Sequence, residues 1–319
     1  MLEPINHRII GTFGGELPGP LIIVLGAVHG NEPAGVKALE WIFDALENTS
    51  SDEPGFVFKG KIVGLVGNLQ AFQRRNRFIE QDLNRVWTPA YVDKSLLTPP
   101  KNTLGEPLEV AQLYELISAE ICAQQSGPIV FLDLHTTSAE GGVFSIPTDE
   151  SESLALAQFL GATAILGLHA SIEGTLLGFA KSGGFGADCQ KNAPIEPICV
   201  AFEAGQHDAP NSATRAAIAI VRCLRAMGNI APHYLTDVED RSPMPFMASL
   251  PPVVRFRYAH PIEAGDAFKM RPGYANFQAI SAGEHLADDI HGPILSPDNG
   301  LILMPLYQAK GSDGFFIVQ

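Results

Sequence analysis

Leu21-Ile22-Ile23-Val24-Leu25 runs directly into Gly26-Ala27-Val28-His29-Gly30-Asn31-Glu32-Pro33, and the stretch Pro33 to Leu46 then carries Ala34, Ala38, Trp41, Ile42 and Leu46 on one helical face. An unbroken apolar run closed by glycine reads as a strand buried on both sides of a sheet. Proline at the first helical position suits the turn that follows, because that position needs no backbone donor. A buried strand that turns at once into an amphipathic helix is the unit of an α/β domain. Outward from this unit the same alternation continues. Lys61 to Val66, Ile129 to Leu134, Ala162 to Leu166 and Ile198 to Phe202 read as strands. Leu108 to Gln124, with Leu113, Leu116, Ile117 and Ile121 at helical spacing, reads as a helix, as do Ser153 to Leu160 and Ser212 to Met227. Gly67 to about Pro107 is polar, contains proline and has no sustained period, so it reads as a long loop, which inside a compact domain points to function.

Composition changes after Ala231. Prolines crowd between Pro232 and Pro261, and short alternating runs such as Val253-Val254-Arg255-Phe256-Arg257-Tyr258 and Leu301-Ile302-Leu303-Met304 are separated by Gly, Asp and Asn. These are hairpin signals, and they divide the chain into an α/β domain at 1–230 and a smaller all-β domain at 231–319. The segment 283–319 has the look of a barrel-sandwich module, but no lysine sits there in a Met-Lys-Met hairpin, so a swinging-arm carrier role is not expected.

The chain has 319 residues and a formal net charge of −14, which disfavours nucleic acid and anionic membrane surfaces as partners. Cys122, Cys189, Cys199 and Cys223 are widely spaced with no CxxC, so neither a disulfide framework nor a zinc ribbon is expected, and a reducing compartment fits best. With neither a secretory pattern at the N-terminus nor an apolar run of spanning length, the expectation is a soluble, cytoplasmic protein, compatible with a homo-oligomer.

Four segments carry candidate chemistry. His29 and Glu32 lie three apart across a glycine turn at the end of the first buried strand, so an imidazole and a carboxylate can converge on one point. The same spacing also suits a carboxylate capping the helix that follows, beside a solvent-facing histidine. At the end of another strand, Asp133 and His135 alternate with Leu132 and Leu134 and share a face. With His29, Glu32 and His135 all at strand ends of one sheet, the set becomes two histidines and a glutamate with an open position, the donor set of catalytic rather than structural zinc. Asp133 is then placed to orient a ligating imidazole. The loop supplies Arg74, Arg75, Arg77 and Arg85, four of the chain's 21 cations within twelve positions. They read either as a site for an anionic substrate or as a solvated surface run. Finally Glu203, between Phe202 and Ala204, is a carboxylate whose burial would raise its pKa toward a value useful for proton transfer, or else an ordinary turn residue.

Taken together and in this order, HGNE at 29–32, RFIEQDLNR at 77–85, DLHTT at 133–137 and FEAG around Glu203 resemble the succinylglutamate desuccinylase/aspartoacylase family of zinc carboxypeptidase-like hydrolases. The resemblance covers most of residues 20–230. It implies a mixed central sheet flanked by helices, one zinc per chain held by His29, Glu32 and His135, and Glu203 as general base and acid activating a zinc-bound water. It also implies that Arg77 polarises the scissile carbonyl while Asn84 and Arg85 hold a substrate carboxylate. The implied reaction is hydrolysis of the amide of a small anionic N-acyl amino acid. Departures bear on the substrate: aspartoacylases carry an arginine shortly before the catalytic glutamate where this chain has Lys191-Asn192-Ala193-Pro194, and their C-terminal tyrosine has no counterpart near Gly311-Ser312. Two other classes compete. One is a metallocarboxypeptidase acting on a peptide C-terminus, which would need an open cleft. The other is a non-catalytic binding or docking protein.

Overall fold

The computed structural model describes residues 6–97, 104–186, 189, 196–240 and 250–319. In chain order the elements are β1 (Ile9–Gly14), β2 (Leu21–Gly26), α1 (Ala34–Asp52), β3 (Lys61–Val66), α2 (Leu69–Arg74), α3 (Pro89–Leu97), α4 (Glu106–Ala123) and β4 (Ile129–Thr137). They continue through β5 (Phe144–Pro147), α5 (Ser151–Leu160), β6 (Thr163–Leu166), α6 (Leu176–Lys181), β7 (Ile198–Gln206), α7 (Ser212–Ala226) and α8 (Thr236–Asp240). The last are β8 (Val253–Pro261), β9 (Lys269–Met270), β10 (Gln278–Ile280), β11 (His285–Asp289), β12 (Gly292–Leu295), β13 (Gly300–Leu303) and β14 (Asp313–Val318).

The strands order as β1-β3-β2-β4-β7-β5-β6-β8-β14-β13-β10, with β12-β11-β9 as a separate small sheet. β3, β2, β4 and β7 are parallel, β1 is antiparallel to β3 and β5 to β7, β6 is parallel to β5, and the sheet is therefore mixed. The C-terminal strands join it through the parallel pair β6–β8 and continue antiparallel through β14, β13 and β10. The smaller all-β portion is thus an extension of the central sheet together with the three-stranded sheet.

Alternation along the central strands builds two cores. Ile22, Val24, Leu132, Leu134, Val200 and Phe202 face α1, α5 and α7, whereas Leu21, Ile23, Leu25, Phe131 and Cys199 face α4 and α6. Every residue of β2 is buried, as a strand covered on both faces requires. Each fully buried Leu or Ile of this kind contributes roughly 1.5–3 kcal/mol. Strand order also fixes where a site can form. From β2 the chain goes to β3 on one side and then to β4 on the other, so a crevice opens at the carboxyl ends of β2 and β4.

Three expectations are corrected. Trp41 is 42% exposed, and the buried face of α1 is instead made by Ala34, Ala38, Ile42 and Leu46 with Leu39 and Phe43. The stretch 67–107 is not a structureless loop, since it holds α2, a 3-10 turn at Leu83–Arg85 and α3. These pieces are too short to show a period. They are fixed by Leu83, Val86, Trp87 and Val92, which enter the core beneath α4. Lastly, Cys122 and Cys189 are joined in a disulfide, their Cα atoms 5.3 Å apart across a separation of 67 residues. The fold brings the end of α4 beside the segment before β7, which spacing alone does not reveal. Cysteine spacing therefore carries no argument for a reducing compartment. Among the described residues, no helix is long and apolar enough to cross a membrane.

Candidate active site

The crevice at β2 and β4 is filled by side chains from the turn after β2 and from the C-terminal halves of β4 and β7. After β2 the backbone turns through Ala27 in the left-handed region and packs Gly30 so tightly on α2 that a Cβ there would lie 2.2 Å from the Ala71 carbonyl carbon. Only glycine fits, and this close approach sets His29 and Glu32 facing inward. α1 starts with Pro33 as its N-cap and no side-chain cap bond, so Glu32 is not used by the helix. Its carboxylate is instead 2.9 Å from His29 Nδ1 and 3.1 Å from His135 Nδ1, and it accepts the Thr136 N–H at 3.0 Å. One nitrogen or carboxylate oxygen from each of His29, Glu32 and His135 lies within 4.8 Å of the others, close enough to hold a metal ion between them, and all three residues are buried.

The outer nitrogens are oriented by two further carboxylates. His135 Nε2 pairs with Asp133 at 2.8 Å, and His29 Nε2 with Asp82 at 3.0 Å. The donor set suits a divalent cation of zinc type. Each imidazole turns one nitrogen to the common point and anchors the other on a carboxylate, the usual support of a ligating histidine. The electrostatics agree. Burial opposes the charge on Glu32, yet the imidazoles of His29 and His135 hold its carboxyl well below the usual range. Burial likewise opposes charge on His135, but Asp133 and Glu32 raise its pKa well above the ordinary value. Asp82 is held low by His29 and Arg77 in spite of its burial.

Glu203 does not end its strand, because β7 runs on to Gln206. The parallel register pairs His135 with Glu203, so the two side chains emerge next to each other on one face. Burial pushes the Glu203 carboxyl up to about 7, with the histidines opposing and Glu32 and Asp133 reinforcing. Its Oε2 is buried without a hydrogen-bond partner.

The arginine cluster divides. Arg77 and Arg85 line the cavity, whereas Arg74 and Arg75 are exposed side chains outside it. Arg77 is bound to Asp82 at 2.9 Å and lies 3.5 Å from Glu32. Arg85 is paired at 2.8 Å with Asp313 of β14. Asn84 also lines the cavity, with its Oδ1 accepting the Leu176 N–H at the start of α6. Across the cavity the segment between β13 and β14 supplies Met304, Leu306, Gln308, Gly311 and Ser312. Gln308 accepts a hydrogen bond from Asn31 of the HGNE turn at 3.1 Å. Lys191 to Pro194 lie outside the described residues.

Sequence reasoning missed Asp82, Asp313, Gln308 and Glu106. Asp82 had a signal, a carboxylate inside a cationic run. Glu106 is fully buried and accepts N–H groups from Asn68, Ile79, Glu80 and Gln81, so it shapes the segment that carries both arginines.

Residues 18–224 match the succinylglutamate desuccinylase/aspartoacylase catalytic domain. The chain belongs to this family. Its curated relatives include a probable aspartoacylase of Acaryochloris marina, 29% identical over 44% of this chain and 42% of that one. Another is the aspartoacylase of Danio rerio, 33% identical over 38% of this chain and 35% of that protein. A succinylglutamate desuccinylase of Serratia proteamaculans is 26% identical over 53% of this chain and 49% of that protein. The chain thus spans less than half the length of the curated relatives it matches. Among solved structures, the succinylglutamate desuccinylase from Chromobacterium violaceum has a TM-score of 0.62 at 17% identity, covering 97% of this chain and 87% of that one. Murine aminoacylase 3 gives 0.58 at 18% identity, covering 96% of this family member and 95% of that chain. At such identities the likeness is one of fold.

Proposed function

We propose that this family member is a zinc-dependent amidohydrolase that cleaves the amide bond of an N-acyl amino acid, with one zinc per chain held by His29, Glu32 and His135. The observation that carries the reading is Glu203: a carboxyl pushed up to about 7, with an unpartnered oxygen, beside His135 on the adjoining strand. A group titrating near neutrality can both take and return a proton.

Zinc, when bound, supplies Lewis acidity, making water more acidic and polarising a carbonyl. Glu203 takes the proton of the attacking water at its carboxylate and later delivers it to the leaving nitrogen. The amide C–N bond breaks to give a carboxylic acid and a free amine. Arg77, kept in place by two bonds to Asp82, presents a fixed positive charge where the carbonyl oxygen becomes negative. Arg85 and Asn84 line the cavity and serve to place the substrate carboxylate. Asp133 and Asp82 hold the two imidazoles in their ligating orientation.

A metallocarboxypeptidase would require a cleft open to a long chain, whereas the segment from Met304 to Asp313 walls this cavity. A docking protein would have no use for a buried carboxyl poised near neutrality. Elemental analysis with a screen of N-acyl amino acids tests the proposal. One zinc per chain and release of free amine are expected, both lost in His29→Ala. Full metal content in that variant, or no hydrolysis by the metal-loaded protein, refutes it.

A further inference from the structure

Away from the His29–Glu32–His135 cluster the cavity is walled by Ile146, Ile172, Met304 and Phe316, which belong to the apolar cluster between β5 and the C-terminal strands, and by Leu177 of α6 and Leu306. Among the described residues lining it, the permanent cations are Arg77 and Arg85, and each already has a carboxylate of the protein against it, Asp82 and Asp313. No lysine lines the cavity among those residues. Arg85 can take one substrate carboxylate by drawing on its remaining N–H groups or displacing Asp313. A second carboxylate on the substrate would then find no further guanidinium or ammonium among the described lining residues, only apolar walls and side chains such as Ser138, His169, Thr175 and Gln308, with Asp313 as an added like charge. Burying a charge without a countercharge is costly even where neutral groups hydrogen-bond to it.

Resting on the N-acyl amino acid reading, we propose that the preferred substrate carries a single carboxylate and is otherwise apolar, and that Asp313 excludes substrates with a second acidic group. Asp313 acts here as a specificity-determining residue at the mouth. The apolar walls provide the favourable part of the discrimination, and Asp313, with no further Arg or Lys among the described lining residues, provides the repulsive part.

The experiment compares kcat/KM of the zinc-loaded protein for N-acetyl-L-phenylalanine, N-acetyl-L-aspartate and N-succinyl-L-glutamate. The phenylalanine compound is expected to be favoured on the order of 100-fold, the discrimination an apolar pocket sustains. Asp313→Asn should narrow that ratio by about tenfold, and Leu306→Lys, which supplies a cation from the segment between β13 and β14, should narrow it further. Equal rates or a preference for the diacids in the unaltered protein overturns the proposal, as does a ratio that neither substitution moves. Calorimetric titration of the same compounds into the zinc-loaded Glu203→Gln protein separates this inference from the one beneath it. Tighter binding of the phenylalanine compound without hydrolysis by the unaltered protein would refute the amidohydrolase reading and leave the apolar-substrate inference standing.

Discussion

Two Arg–Asp pairs hold the two arginines that line the cavity, and they are built differently. Arg77 and Asp82 are five residues apart in one segment, and Asp82 continues the contact to His29. Arg85 reaches Asp313, a partner 228 residues away on the last strand. The inner pair adjoins the His29–Glu32–His135 cluster, where the imidazoles are held by carboxylates from the turn after β2, from β4 and from the segment after α2. The outer pair is a bridge between the parallel α/β part and the C-terminal strands. On the proposed reading the contrast is a division of labour: chemistry on the inner wall, where the arginine and its aspartate share one local segment, and selection on the outer wall, where the pair is joined only by the folded chain.

The sharpest way to break this division is Glu203→Gln. On the reading above it should lower kcat by on the order of 10²–10⁴-fold while metal content stays at one per chain. The same change carries a signed stability effect in the metal-free protein. A carboxyl raised to about 7 binds its proton more tightly in the folded chain than in the unfolded one. Unaltered protein therefore loses stability as pH rises from about 4.5 through 7, because the unfolded chain ionises first. Glu203→Gln should remove that loss, making the metal-free protein more stable than its parent by on the order of 1–3 kcal/mol at pH 8 and nearly equal to it at pH 4. Thermal unfolding at the two pH values checks this. A variant of normal kcat, or one with no pH-dependent gain, would place Glu203 outside the chemistry.

The arginines give the next largest effect. Arg77→Lys should reduce kcat by about 10- to 100-fold with little change in KM, because its charge counts most as the oxyanion develops. Arg85→Lys should instead raise KM about tenfold or more, since lysine cannot offer two parallel N–H groups to a carboxylate. If both variants change the same parameter, the two walls are not distinct in function.

How much of this was legible follows the same line. β2, β3 and β4 were readable because doubly buried strands are written as apolar runs, and Asp133 with His135 shared a face because strand side chains alternate. The site residues His29, Glu32 and Glu203 lie within or just after such strands. Short helices such as α2 and α3 were not readable, since one or two turns show no period and their ends are fixed by distant groups. Glu106 is the clearest instance: a charged residue at the start of α4 looks like surface, yet it is fully buried and receives three consecutive backbone N–H groups of 79–81. Asp313 and the Cys122–Cys189 bond were invisible for the same reason, both being products of chain crossings.

Glu106→Gln tests whether the segment bearing both arginines is held as one unit. The amide offers a single accepting oxygen to four N–H groups and points its own donors at the rest, so a loss of about 2–3 kcal/mol in stability is expected. If the loop acts as one unit, kcat and KM should both suffer, by about threefold to tenfold each. Denaturant unfolding and steady-state kinetics on the same preparation measure the two. A stability loss with unaltered kinetics would show that the arginines are positioned by Asp82 and Asp313 alone.

The smallest expected effect probes a hydrogen bond that ties the inner wall directly to the outer. Asn31 lies inside the HGNE turn, and its side-chain N–H donates to Gln308 at 3.1 Å from the segment between β13 and β14. A single neutral bond of this kind contributes about 0.5–1.5 kcal/mol. Gln308→Ala removes it, together with the Gln308 bond to His207, without touching a strand. If the outer wall serves only selection, the loss should appear as a rise in KM of about threefold to tenfold, because only the placement of substrate is loosened. Metal affinity should not move, since His29 and Glu32 are held by Asp82, Thr136 and the packing of Gly30 on α2. Competition with a chelator measures that affinity, and kinetics measure the rest. A fall in kcat or a weakened metal in Gln308→Ala would mean that the C-terminal segment helps to set the geometry of the cluster, and the division between the two walls would have to be redrawn with Asn31 on the boundary.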